Sequence, residues 1–252
     1  MKKVLLIDSG SGGVNVLKEC LKECPCCDFL LFCDNENLPY GNKAKEQLIE
    51  ISLKNLKTIY QFFKFEIVIF ACNTLTAVCL KECEKKFAEV EFIGTAPPIK
   101  TAMERFERDE ILVLATLNTQ KNNRDLKSCG CKILCIDNLA SVIDENLDKL
   151  EVVQPLLEKV LSRFRGKVKA VVLGCTHYVA VKDLIEQILG EIVFFDGATS
   201  VAEKLKEVVL KNQKDGLKTN ENGVVLPNYQ LQIMTSGSNE MRNKFLWWLN
   251  RE

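Results

Sequence analysis

Val68-Ile69-Phe70-Ala71-Cys72-Asn73-Thr74 and Val171-Val172-Leu173-Gly174-Cys175-Thr176-His177 are two copies of one unit. Each is an apolar, β-branched run that delivers a small residue, a cysteine and two polar residues. A short continuous apolar run ending in polar residues reads as a strand buried on both faces, as in a parallel sheet. Ligands of open parallel sheets bind beyond the carboxyl ends of the strands, so both cysteines stand where a substrate is expected.

Working outward, similar short runs alternate with longer stretches of helical period, which places the chain in the α/β class. Strands are expected at Lys3 to Ile7, Asp28 to Cys33, Glu66 to Phe70 and Glu91 to Ile93. Helices are expected through Leu17 and Leu21, over Leu48 to Phe63 and over Thr74 to Phe87. Gly94-Thr95-Ala96-Pro97-Pro98 is turn-rich and marks a boundary, after which the pattern restarts. Strands then follow at Ile111 to Ala115, Lys132 to Ile136 and Val168 to Leu173, with a long helical region running to Arg163. The segment after Asp196 reads as helix to Lys211 and as a polar loop to Gly223. Leu231 to Met234 and Asn239 to Leu249 read as a last strand and helix, in which Trp247 and Trp248 cannot share one core.

The 252 residues are 47% hydrophobic and 27% charged, with 34 basic against 34 acidic side chains. That is the profile of a globular chain with no broad electrostatic footprint for nucleic acid or anionic membrane. A small-molecule partner is favoured. The apolar run Val4-Leu5-Leu6-Ile7 is too short for a signal peptide and no run approaches 18 apolar residues, so a cytoplasmic protein is expected. Twelve cysteines in a chain of this size then read as reduced thiols. Cys20, Cys24, Cys26 and Cys27 cluster, as do Cys129, Cys131 and Cys135, but neither cluster has paired metal-ligand spacing, and no metal or cofactor is expected.

A free thiol titrates near pH 8.5, so it can serve as acid or base near neutrality. Racemisation at a Cα needs a base on one face and an acid on the other, with the roles exchanging for the opposite enantiomer. Two equivalent cysteines meet that symmetry, and helices following them would favour the thiolate. A free Cys ending a core strand is equally often only a small buried hydrophobe, and spacing alone leaves both readings open. Asn73, Thr74, Thr176 and His177 tip the balance, being poor core residues but suitable partners for a zwitterionic amino acid. Gly10-Ser11-Gly12-Gly13 lacks the G-x-G-x-x-G spacing of a nucleotide fingerprint and reads as a tight turn.

With these residues in hand, the sequence resembles the glutamate racemases of the aspartate/glutamate racemase superfamily. The likeness rests on Asp8-Ser9-Gly10-Ser11-Gly12-Gly13, Pro39-Tyr40-Gly41, Ala71-Cys72-Asn73-Thr74, Ala115-Thr116 with Thr119, Gly174-Cys175-Thr176-His177-Tyr178 and Met234-Thr235-Ser236-Gly237, in that order. It implies two pseudo-symmetric α/β domains with the active site between them, residues 1–95 plus 209–252 forming the first and 96–208 the second. It implies Cys72 and Cys175 as opposed proton donor and acceptor, assisted by Asp8 and His177, without a cofactor. Substrate glutamate would be bound by Asp8, Ser9, Pro39, Tyr40, Gly41, Asn73, Thr74, Thr116, Thr119, Thr176 and His177. A possible homodimer and a supply of D-glutamate for peptidoglycan belong to the same implication. There are departures. The family's Asp-Thr-Ala-Arg before Pro-Tyr-Gly is here Asp34-Asn35-Glu36-Asn37-Leu38, and the assisting carboxylate after Cys135 is either Asp144 or Glu145. Alternative readings are a racemase of aspartate or another small acid, or a non-catalytic amino-acid sensor or thiol-rich metal-binding protein.

Overall fold

The computed structural model describes residues 1–211 and 229–250. In chain order, β1 (Lys3–Asp8), α1 (Gly13–Glu23), β2 (Asp28–Cys33), α2 (Lys45–Phe62), β3 (Ile67–Phe70), α3 (Asn73–Lys86) and β4 (Glu91–Gly94) make the first half. The second comprises α4 (Ile99–Met103), β5 (Ile111–Ala115), α5 (Leu117–Asn122), α6 (Arg124–Ser128), β6 (Lys132–Cys135), α7 (Leu139–Glu145), α8 (Gln154–Leu161), β7 (Ala170–Gly174), α9 (Lys182–Leu189) and β8 (Val193–Phe195). Then come α10 (Ala198–Lys211), β9 (Leu231–Thr235) and α11 (Asn239–Leu249).

All pairings within the two sheets are parallel, in the orders β4-β3-β1-β2-β9 and β6-β5-β7-β8. With β9 set aside, each half has the same order, its first strand lying between its second and third. The reversal of strand order therefore falls between β1 and β3 in one half and between β5 and β7 in the other. At such a switch point the loops diverge and leave a crevice. The cysteines follow β3 and β7, so the repeat seen in the sequence is a repeat of topology.

Strand side chains alternate between two apolar layers. Val4 and Leu6 face a core that also holds α1, α10 and residues of the second half, while Leu5 and Ile7 face one with α2 and α3. In the second half Leu112 and Leu114 point into the core shared with the first, and Ile111 and Val113 into a separate layer under α4 and α6. Burying each such side chain contributes about 1.5–3 kcal/mol. The cysteines of the described residues are all free thiols, and the shared core joins the halves. Cys20, Cys24 and Cys27 are buried members of it, so that cysteine cluster serves there as packing.

Two expectations need correcting. The long helix to Arg163 is in fact broken: α7 ends at Glu145, and α8 starts at Gln154 after a 3-10 turn, with Pro155 in its first turn. Proline suits a helix start but not a helix interior, which explains the break. Strand β8 was not expected, because three residues carry too little period to read. The polar loop expected to Gly223 lies outside the described residues. Trp247 is 48% exposed and Trp248 packs on the shared core, as their adjacency requires.

Candidate active site

The carboxyl ends of β1, β3, β5 and β7 meet between the halves. The Gly10 N–H donates to Asp8 Oδ1 at 3.0 Å, folding the chain after β1 into a tight turn. That turn crosses to the other half. A Cβ at Gly12 would fall on the Thr176 side chain, and one at Gly10 on Asp144 and His177, so only glycine permits this approach.

Around the turn lies a buried polar group drawn from both halves. Thr176 Oγ1 donates to Asp8 Oδ2 at 3.0 Å. His177 Nδ1 lies 3.8 Å from Cys175 Sγ, and its Nε2 lies 3.3 Å from Asp144 Oδ1, in ion-pair range but misaligned for a hydrogen bond. Asp144 in turn receives the Ser11 N–H at 2.9 Å, the Ser11 hydroxyl, and Asn35 Nδ2 at 2.9 Å. Of the two carboxylates left open by the sequence, Asp144 is fully buried in this group and Glu145 is exposed.

A second group of hydroxyls bridges the halves nearby. Thr74 Oγ1 in the first turn of α3 lies 2.8 Å from Thr116 Oγ1 and 3.2 Å from Thr119 Oγ1, and the last two are 2.9 Å apart. Gly41 rests against Thr116, where a Cβ would come within 2.9 Å of the threonine Cβ. Asn118 Nδ2 donates to the Tyr40 and Lys43 carbonyls at 3.0 and 2.8 Å. Tyr40 does not point its hydroxyl at this group: it donates to Asp34 Oδ2 at 2.7 Å. Pro39 is half-buried beside it, and Ser9 and Asn73 are buried, Asn73 Oδ1 having no hydrogen-bond partner. A buried acceptor without a donor is costly unless a ligand supplies one.

No protein-family model matches the chain. Among curated proteins, glutamate racemase of Clostridium novyi is 31% identical over 231 residues, covering 88% of each chain. That of Pasteurella multocida is 32% identical over 232 residues, covering 88% of this chain and 86% of its own. The chain belongs to the glutamate racemase family. Among solved structures, Escherichia coli glutamate racemase in complex with L-glutamate and the activator UDP-MurNAc-ala superposes with a TM-score of 0.80 at 22% identity. That match covers 99% of this chain and 94% of the other. It carries the fold alone.

As a member of the glutamate racemase family, the chain is an isomerase, and its two strand-end thiols differ in surroundings. Each is only 6% exposed. Burial pushes the Cys72 thiol well up, the charges of Asp8 and Cys175 add to this, and the backbone N–H groups of Leu75 and Thr74 only partly offset it. The expectation that the following helix would favour the Cys72 thiolate is thus outweighed by desolvation. Cys175 is followed by a 3-10 turn, Thr176–Val181, rather than by an α-helix, and has His177 at its side instead.

The two carboxylates diverge as well. Burial pushes Asp8 above the usual carboxylate range, although His177, Gly10 and Thr176 pull it back. Burial also opposes ionisation of Asp144, but His177 and the Ser11 donors win and hold it below that range. Burial disfavours a charged His177, yet the Asp144 carboxylate and Cys175 hold it well above its ordinary value. Sequence reasoning gave no site role to Ser11, Asn35 or Asn118, whose partners lie in segments far apart in the chain. Among the described residues no group of three or more His, Cys, Asp or Glu is arranged to hold a metal ion, and no helix is long and apolar enough to cross a membrane.

Proposed function

We propose that the chain interconverts L- and D-glutamate, with Cys72 and Cys175 exchanging the Cα proton from opposite faces. The observation that carries this reading is the pairing of the two strand-end thiols. Each follows the equivalent strand of its own sheet, and Cys175 lies close enough across the crevice between the halves for its charge to bear on the Cys72 thiol.

One thiolate removes the Cα proton, negative charge spreads into the α-carboxylate, and the opposite thiol returns a proton. The threonine hydroxyls and the backbone N–H groups at the start of α3 are suited to hold that carboxylate where charge grows. Asp8 is suited to receive the substrate ammonium. Once there, the ammonium cancels the charge that burdens Cys72 and makes its thiolate easier to form. His177, paired with Asp144 and 3.8 Å from Cys175 Sγ, is placed to exchange a proton with it. The same roles reversed serve the other enantiomer.

Glutamate as substrate is supported by the relatives' activity and by the L-glutamate in the E. coli complex. In the domain division into 1–95 plus 209–252 and 96–208, the return of the C-terminal segment to the first half is supported by the pairing of β9 with β2, whereas α10 packs on α1 and β4 of the first half. D-Glutamate made in this way would supply peptidoglycan synthesis in the cytoplasm. Circular dichroism tests the activity: L-glutamate incubated with the protein and no added cofactor is expected to lose its signal. A folded protein that leaves it unchanged, while racemising aspartate from a panel of enantiopure amino acids, would overturn the substrate assignment.

A further inference from the structure

The turn after β2, Asp34-Asn35-Glu36-Asn37, is hydrogen-bonded to the end of the C-terminal strand. Thr235 Oγ1 donates to Asn35 Oδ1 at 2.7 Å, and the Gly237 N–H donates to Thr235 Oγ1 at 3.0 Å. Ser236 Oγ donates to Asp34 Oδ1 at 2.8 Å, and Glu36 N–H to Ser236 Oγ at 3.0 Å. Thr235-Ser236-Gly237 therefore clips the turn after β2 in place. From that turn Asn35 Nδ2 reaches into the other half and donates to Asp144 Oδ2 at 2.9 Å.

We propose that Asn35 is a positioning residue for the racemase reaction, carrying hydrogen bonds from Thr235 on the C-terminal strand to Asp144 and so fixing the carboxylate that pairs with His177 beside Cys175. This rests on the two-thiol reading above and names a component of the same site. An amide can do this because it accepts at one end and donates at the other, so fixing Oδ1 on Thr235 fixes which atom faces Asp144. Asp144 Oδ1 is occupied by Ser11, and Oδ2 is turned to Asn35. With both oxygens held, the carboxylate has one orientation toward the imidazole. The other ionisable groups around this relay are Asp8, Asp34, Cys33 and Cys175. All are acidic, so among the described residues around the relay His177 is the one basic group, and Asp144 is held against it.

The test is a double-mutant cycle on the full chain, with L- and D-glutamate as substrates. Asn35→Ala is expected to lower kcat about 10-fold, the loss of one hydrogen bond to a charged group, with KM changed less than about 2-fold. Thr235→Val, which touches neither Asp144 nor His177, is expected to lower kcat in the same sense and by less. In an Asp144→Asn background, Asn35→Ala is expected to lower kcat no further, because the group it acts on is already neutral. A purely structural role would instead multiply the two losses. The α-deuterium isotope effect should rise for one enantiomer more than the other, since only the Cys175 side is affected. Wild-type kcat in Asn35→Ala, or fully multiplicative losses, overturns the relay. If the wild-type protein itself exchanges no Cα proton of glutamate, the two-thiol reading fails instead, so the two failures are distinguishable.

Discussion

Asp8 and Asp144 are both fully buried at one site, yet their surroundings drive their protonation in opposite directions. Asp144 is below its ordinary value in the folded state, so its stabilising contribution is complete above about pH 4 and is lost as pH falls through the folded value. His177 is raised, so its contribution is complete below about pH 6.5 and is lost as pH rises through its folded value. Asp8, being raised, acts the other way and weakens folding as pH climbs above about 4. Asp144→Asn is therefore expected to cost about 3 kcal/mol at neutral pH by leaving the buried imidazolium unpaired. Denaturant melts at several pH values check this, and the loss should shrink at alkaline pH. Asp8→Asn is expected to stabilise by about 1 kcal/mol while abolishing turnover, the trade found where function requires a strained group. A less stable, fully active Asp8→Asn protein would remove Asp8 from the site.

At the scale of elements, the strands and the longer helices were legible because apolar runs and 3.6-residue periods extend over whole segments. α11 falls on Asn239–Leu249 as read, and α2 and α3 within a few residues. The site's thiols were legible for the same reason, since each ends a run whose period is unmistakable. What the sequence hid was contact between halves: Ser11 reaches Asp144 across 133 positions and Asn35 across 109. No local pattern encodes such a distance, so the choice between Asp144 and Glu145 needed the fold. The turn after β1 gives an element-scale prediction. Gly12→Ala puts a methyl into Thr176 and is expected to lower both Tm and kcat, kcat by about 100-fold, because a displacement near 1 Å at the reacting groups costs that much. Lys22→Ala, on the exposed face of the helix that follows, is the control and should do neither.

At the scale of the whole molecule, two equivalent sheets share one apolar core and close over a polar seam. Both thiols are nearly sealed in this arrangement, and the Thr74–Thr116 contact bridges the seam. A maleimide reagent is accordingly expected to inactivate the protein slowly through Cys72 or Cys175, and saturating D- or L-glutamate to protect it. Labelling of these two residues at the rate of half-buried Cys26, with no protection, would argue against a closed site.

The central claim, that two sulfur atoms address one carbon from opposite sides, is tested most directly by proton NMR of L- and D-glutamate in deuterium oxide. Wild-type protein should wash out the Cα proton of both enantiomers, whereas Cys72→Ser and Cys175→Ser, folded and still able to bind glutamate, should each lose racemisation. A single variant that still racemises glutamate at the wild-type rate contradicts the two-thiol mechanism.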